Sequence, residues 1–165
     1  MNLWNAMKRF DFWQLIKVLR LLFQKPLLII PTVSATKRTL IICDNLYRGT
    51  HHKDGKENAF RHALWNILIC QQTVSITKNT EQSILWAEKI TSLHEKLAPN
   101  EPLATAMDLH NNSAGREYFR ILKDSSETAV INFLQEKTQN AKRIVEVIDT
   151  DTTDLIYLLD ENKSC

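Results

Sequence analysis

The chain has 165 residues, 44% hydrophobic and 24% charged, with only 3 Gly and 4 Pro. That is the size and composition of one folded domain with a real core, and too few breakers for a disordered or all-β chain. The net charge of +2 hides an asymmetry: residues 1–53 carry nine Lys/Arg against Asp11 and Asp44, and the remainder carries 12 basic against 17 acidic residues.

A basic first third suits an acidic remainder of the same fold, an anionic lipid surface or nucleic acid. Nucleic acid is disfavoured, since no binding motif or arginine cluster accompanies the charge. Cys43, Cys70 and Cys165 lack C-x-x-C spacing, which indicates neither a disulfide framework nor a cysteine zinc site. Cys43 and Cys70 sit in apolar runs and read as core thiols, in keeping with a reducing, cytoplasmic compartment. Secretion is the alternative, through a signal peptide ending near Val33-Ser34-Ala35, although Gln24-Lys25-Pro26 interrupts its apolar region. The same residues and Arg20 break the most apolar run, Val18 to Val33, so no transmembrane segment is expected.

In chain order, Phe12, Leu15, Ile16, Leu19, Leu22 and Phe23 share one face of a helix spanning Phe10 to Phe23, which Pro26 ends. Residues 1–31 thus form a basic amphipathic segment that either docks on the domain or makes peripheral contact with a membrane. After Pro31, Thr32 or Ser34 is expected to cap a helix through about Tyr47, with Leu40, Ile41, Cys43 and Tyr47 apolar. Arg48 to Gly55 reads as a loop in which His51 and His52 are solvated. The next helix begins near Glu57, is apolar on nearly every side and ends near Gln71-Gln72. Asn79 or Thr80 caps another, Glu81 to Leu97, with Trp86, Ile90, Leu93 and Leu97 as its core stripe. Pro102 opens a helix to about Lys123, with an interruption possible at Asn111-Asn112. Ser125 or Ser126 caps a last helix through roughly Ile148. The apolar tail Asp154 to Leu159 is either a short strand or a docked arm. The expectation is a single compact all-α domain over 1–165, of five or six helices around the segment from Asn58 to Gln71.

That central helix carries polar groups where a greasy helix should have none. Asn58, His62 and Asn66 recur every four residues, on one face with Trp65 and Ile69, and Arg61 lies beside them. Buried polar groups need partners. Two other helices offer them: His94-Glu95, and Asp108, His110, Asn111, Asn112, Gly115 and Arg116. On a helical wheel His94 borders the apolar stripe, while Glu95 lies about 100° away, so both need not enter one site. Imidazole nitrogen with carboxylate oxygen suits Zn, Fe or Mn, with His62, His94 and Asp108 as ligands. Without metal, the same groups suit acid–base catalysis by His62, Asp108 and Glu95, with Arg61, Asn58, Asn66, Asn111, Asn112 and Arg116 as binding residues. No local ligand pair such as H-E-x-x-H favours the metal. The competing reading is a polar network that locks helices together without chemistry. Arg61 is expected to be buried and paired with Glu95 or Asp108, and Trp65 and Trp86 to be core.

The run H-x-x-D-G-x-x-N-A-F-R-H-A-L-W-N, a later L-H-E, and M-D-L-H-N-N-x-x-G-R together resemble a bacterial family of unknown function whose members carry N-A-F-R-H-A-x-W, an alanine-preceded H-E and M-D-x-x-N-N-x-x-G. The resemblance covers about residues 45–160. It implies a helical domain with Asn58, Arg61, His62, Trp65, His94, Glu95, Asp108, Asn111, Asn112 and Gly115 as signature positions, and no settled activity. Leu93 stands where the family has alanine. Arg61-His62 is also faintly similar to the catalytic helix of small phospholipases A2, but Ala63 occupies the position of that helix's aspartate, against a calcium-assisted phospholipase. The leading expectation is a hydrolase-like site, with or without a divalent metal; the alternative is a structural or interaction protein.

Overall fold

A computed structural model describes residues 24–98, 100–150 and 152–158. The expected helix over 10–23 lies outside them. Among the described residues there are five α-helices: α1 Ile29–Tyr47, α2 Lys56–Thr77, α3 Thr80–Leu97, α4 Pro102–Leu122 and α5 Glu127–Gln139. Two short strands follow, β1 Lys142–Arg143 and β2 Ile156–Tyr157, paired in parallel with Lys142 opposite Ile156.

The single compact domain is organised around α2. Twelve of its 22 residues are buried, and α1, α3, α4 and α5 all pack on it. An apolar helix surrounded on every side loses no burial by being greasy all round. It runs to Thr77, beyond Gln72, because Thr73 stays in the core and bonds back to the Ile69 carbonyl. Its closest neighbour is α4. A Cβ placed on Gly115 would stand 2.5 Å from the Ala63 carbonyl oxygen, so only glycine admits this backbone-to-backbone approach.

The helix starts follow local chemistry. The Asn79 side chain accepts from the Gln82 amide at 3.0 Å and Ser126 from Ala129 at 3.2 Å, while Pro102 opens α4. α4 continues without a break through Asn111-Asn112. α1 starts before Pro31, at Ile29, because proline in the first turn forfeits no helical hydrogen bond. Thr32 is therefore inside the helix and not its cap; its hydroxyl donates to the Leu28 carbonyl and accepts from Trp86 Nε1. On α1 the buried apolar side chains are Ala35, Ile42 and Cys43, whereas Leu40 and Ile41 are exposed. Trp86 is core as expected, and Trp65 is half-buried. Burial pushes both Cys43 and Cys70 up to about 12, in keeping with inert core thiols.

The segment Pro26–Tyr47 is long and apolar enough to cross a membrane by length and composition, and it overlaps the Val18 to Val33 run over residues 26–33. A third of its 18-residue apolar window is buried in the domain, and core helices and signal sequences pass the same test.

α5 stops at Gln139 and not near Ile148. Ala141 and Ile144 continue its apolar pattern, but the chain beyond pairs with the tail instead, Lys142 N donating to Leu155 O and Ile144 N to Tyr157 O. The apolar tail is thus a strand. Asn111 holds it to α4 by accepting from the Ile156 amide at 3.0 Å and donating to its carbonyl at 2.8 Å. His110 Nε2 donates to the Asp154 carbonyl close by. These two α4 residues, predicted to serve a site or end a helix, dock the tail.

Candidate active site

Helical spacing puts Asn58, His62 and Asn66 on the α2 face that meets α3 and α4, and all three are buried. The His62 Nε2 atom lies 3.2 Å from Asp108 Oδ1 on α4, and Nδ1 lies 3.7 Å from Glu95 Oε1 on α3. Ligand atoms from these three buried side chains fall within 4.8 Å of one another. Three segments distant in sequence therefore converge on one imidazole.

Partners assign the state of that imidazole. Arg61 Nη2, which can only donate, lies 2.8 Å from Nε2, so Nε2 is an acceptor and the proton sits on Nδ1. Nδ1 donates to Asn112 Oδ1 at 3.1 Å. Asn112 is the junction of the network: its oxygen also accepts from Asn66 Nδ2 at 2.8 Å, and its amide donates to Glu95 Oε1 at 3.0 Å. Asn66 Oδ1 in turn accepts from Arg116 Nη1 at 3.2 Å. Asn112→Ala strands the His62 proton and one carboxylate oxygen in the interior. With about 1–3 kcal/mol for each buried group left unpaired, urea unfolding should show a loss of about 3 kcal/mol or more.

Electrostatics shifts the two facing groups in opposite directions. Burial first, then the Arg61 charge, depresses His62 to about 3 against the opposing bond to Asn112. Burial, and then the Glu95 charge, raises Asp108 to about 7 against the attraction of Arg61. Glu95 is also raised, mainly by burial. At neutral pH the centre thus pairs a neutral imidazole with a carboxyl group poised between its two forms. Asp108 Oδ1 is buried and has no hydrogen-bond partner among the described residues. Asn58 Oδ1 is in the same condition.

Arg61 departs from expectation. It is half-buried, and its hydrogen bonds run to imidazoles, Nη2 to His62 and Nη1 to His52 Nδ1 at 3.4 Å. Asp108 and Glu95 act on it through charge, offsetting the burial that lowers its pKa. His94 stays out of the trio; exposed on α3, it meets the Trp65 ring edge-on at 5.2 Å. Glu95, one residue on, points inward, the 100° separation deciding which enters. The donor set His62, Glu95 and Asp108 has the right chemistry for a cation. However, the Nε2 lone pair faces the Arg61 guanidinium, which an ion there would have to displace.

His51 is the residue the sequence misplaces. It is fully buried, with Nε2 2.9 Å from Asp44 Oδ1, because a 3-10 turn over Thr50–His52 folds it inward while His52 stays outside. Its one signal was the H-x-x-D-G spacing that begins with it.

Comparisons with curated proteins and with solved structures found no match. A family model does match, over residues 19–142, and this stretch includes His62, Glu95, Asp108, Asn112 and Gly115. The chain belongs to the family of the domain of unknown function DUF6973.

Proposed function

We propose that His62, Asp108, Glu95 and Arg61 form a hydrolase-like acid–base centre. The observation that carries this reading is Asp108 Oδ1, buried 3.2 Å from His62 Nε2 and without a hydrogen-bond partner among the described residues. A network that only holds helices together gains by satisfying its atoms, whereas a reactive group is kept ready for a substrate or a proton. A carboxyl with a pKa near 7 is populated in both forms at neutral pH, the condition for taking a proton from water and returning it to a leaving group. In this reading Asp108 is the titrating group. His62, depressed to about 3, is too weak a base for that role and stands beside Asp108 as a neutral imidazole. Burial, and after it the Glu95 charge, keeps the Asp108 pKa high, and Arg61, half-buried and reaching from the centre towards exposed His52, suits an anionic substrate group.

A second reading has its own observation. Asn66, Asn112 and Arg116 bond one another and Glu95, as a structural lock would. Assays on activated carboxylic and phosphoric esters separate the two. The acid–base reading expects Asp108→Asn to stay folded and lose turnover by at least about 100-fold. Equal rates for wild type and variant on every ester, with a strongly destabilised variant, would support the lock.

A further inference from the structure

We infer that Asp44, His51 and His52 form a second site, at the C-terminal end of α1, for a divalent transition-metal ion of the zinc class. The local chain path builds it. Asp44 lies in the last turn of α1; Arg48 and Gly49 then take positive φ, 47° and 88°, and reverse the chain. The 3-10 turn that follows carries both imidazoles back beneath the carboxylate. His51 Nε2 is 2.9 Å from Asp44 Oδ1, the two imidazole rings lie 4.1 Å apart, and donor atoms of the three side chains fall within 4.8 Å of one another. Two imidazoles and a carboxylate are a donor set for Zn(II) or Co(II).

A second observation points the same way. His51 is 0% exposed, yet its Nδ1 has no hydrogen-bond partner among the described residues. Burying an imidazole in a surface turn with one nitrogen unpaired costs stability that packing alone does not require. Asp44 and His52 are exposed, so the site opens to solvent and leaves an ion room for a water ligand.

The site also touches the first one. His52 Nδ1 accepts from Arg61 Nη1, which leaves Nε2 as the ligating nitrogen. A neutral imidazole bound through Nε2 carries its proton on Nδ1 and can no longer accept there. Metal binding therefore releases the outer hydrogen bond of Arg61. The site stands independently of the acid–base reading of Asp108.

The full chain, stripped with chelator, is titrated with Zn(II) by calorimetry and with Co(II) by visible absorption. One ion should bind per chain. Asp44→Asn and His52→Gln, both at exposed positions, should each weaken binding at least about tenfold, since loss of even an outer-shell partner costs 10–100-fold. Asp108→Asn should leave it unchanged. Absence of binding by the wild type would overturn the inference. So would binding that survives both Asp44→Asn and His52→Gln, or that is lost in Asp108→Asn, which would put the ion at His62.

Discussion

Gly115→Ala should lower the melting temperature by roughly 6–12 °C. In an ordinary helix interior the change would stabilise by about 1 kcal/mol. Here the new methyl group would meet the Ala63 carbonyl oxygen at 2.5 Å, its Cα at 2.7 Å and its carbonyl carbon at 2.9 Å, all backbone atoms that no rotamer change can move. α2 and α4 must separate. Overpacking costs about 1–3 kcal/mol and more where the obstacle is rigid, so a net loss of about 3 kcal/mol is expected. For a chain of this size that corresponds to the shift given. Asp108 and Asn112 ride on the same helix and would draw back from His62. A melting temperature unchanged or raised would mean that the helices lie farther apart than described.

The second large effect is in the pH dependence of stability. Asp108 has its pKa raised to about 7, so between about pH 4 and 7 the folded chain holds a proton that the unfolded chain has lost, and stability falls as pH rises through that window. His62 is depressed to about 3, so between about pH 3 and 6.5 the unfolded chain holds the extra proton, and stability rises with pH. From about pH 4 to 6.5 the two contributions oppose each other and nearly cancel. Neither shift is caused by the other residue: burial, then Arg61 and His94, lowers His62 against Asn112, and burial, then Glu95 and Asp54, raises Asp108 against Arg61. Removing one should therefore expose the other. Urea unfolding across pH 4–6.5 should show Asp108→Asn gaining stability with pH and His62→Gln losing it, each by about 1.4 kcal/mol per pH unit. Parallel profiles for both variants and the wild type would contradict the assigned protonation states.

Much of this was legible from one-dimensional signals. Helix starts at Asn79, Pro102 and Ser126 depend on groups within three residues, so local chemistry placed them. The four-residue recurrence of Asn58, His62 and Asn66 located the polar face of α2, because a helix converts spacing directly into direction. What escaped depends on distant partners. The apolar pattern of Val130 to Ile144 fits a helix throughout, yet Lys142 and Ile144 bond a tail more than ten residues away. Asn111 and Asn112 are neighbours with the same side chain, but one holds that tail and the other holds His62. Only the crossing of α4 over α2, fixed at Gly115, separates their roles. Arg61 was expected to seek a carboxylate by charge, whereas its position next to His62 in sequence turns Nη2 onto the imidazole. The burial of His51 rests on the left-handed turn at Arg48 and Gly49, in a segment without periodicity to read.

The most direct measurement is a carbon-13 NMR titration of the Asp108 carboxyl group in the folded protein, assigned by its disappearance in Asp108→Asn. An acid–base centre of the kind proposed requires this group to change form near neutrality, with a midpoint near pH 7. A midpoint near 4, the ordinary value for an aspartate, would mean that Asp108 is a solvated or fully paired carboxylate, and would contradict the proposal.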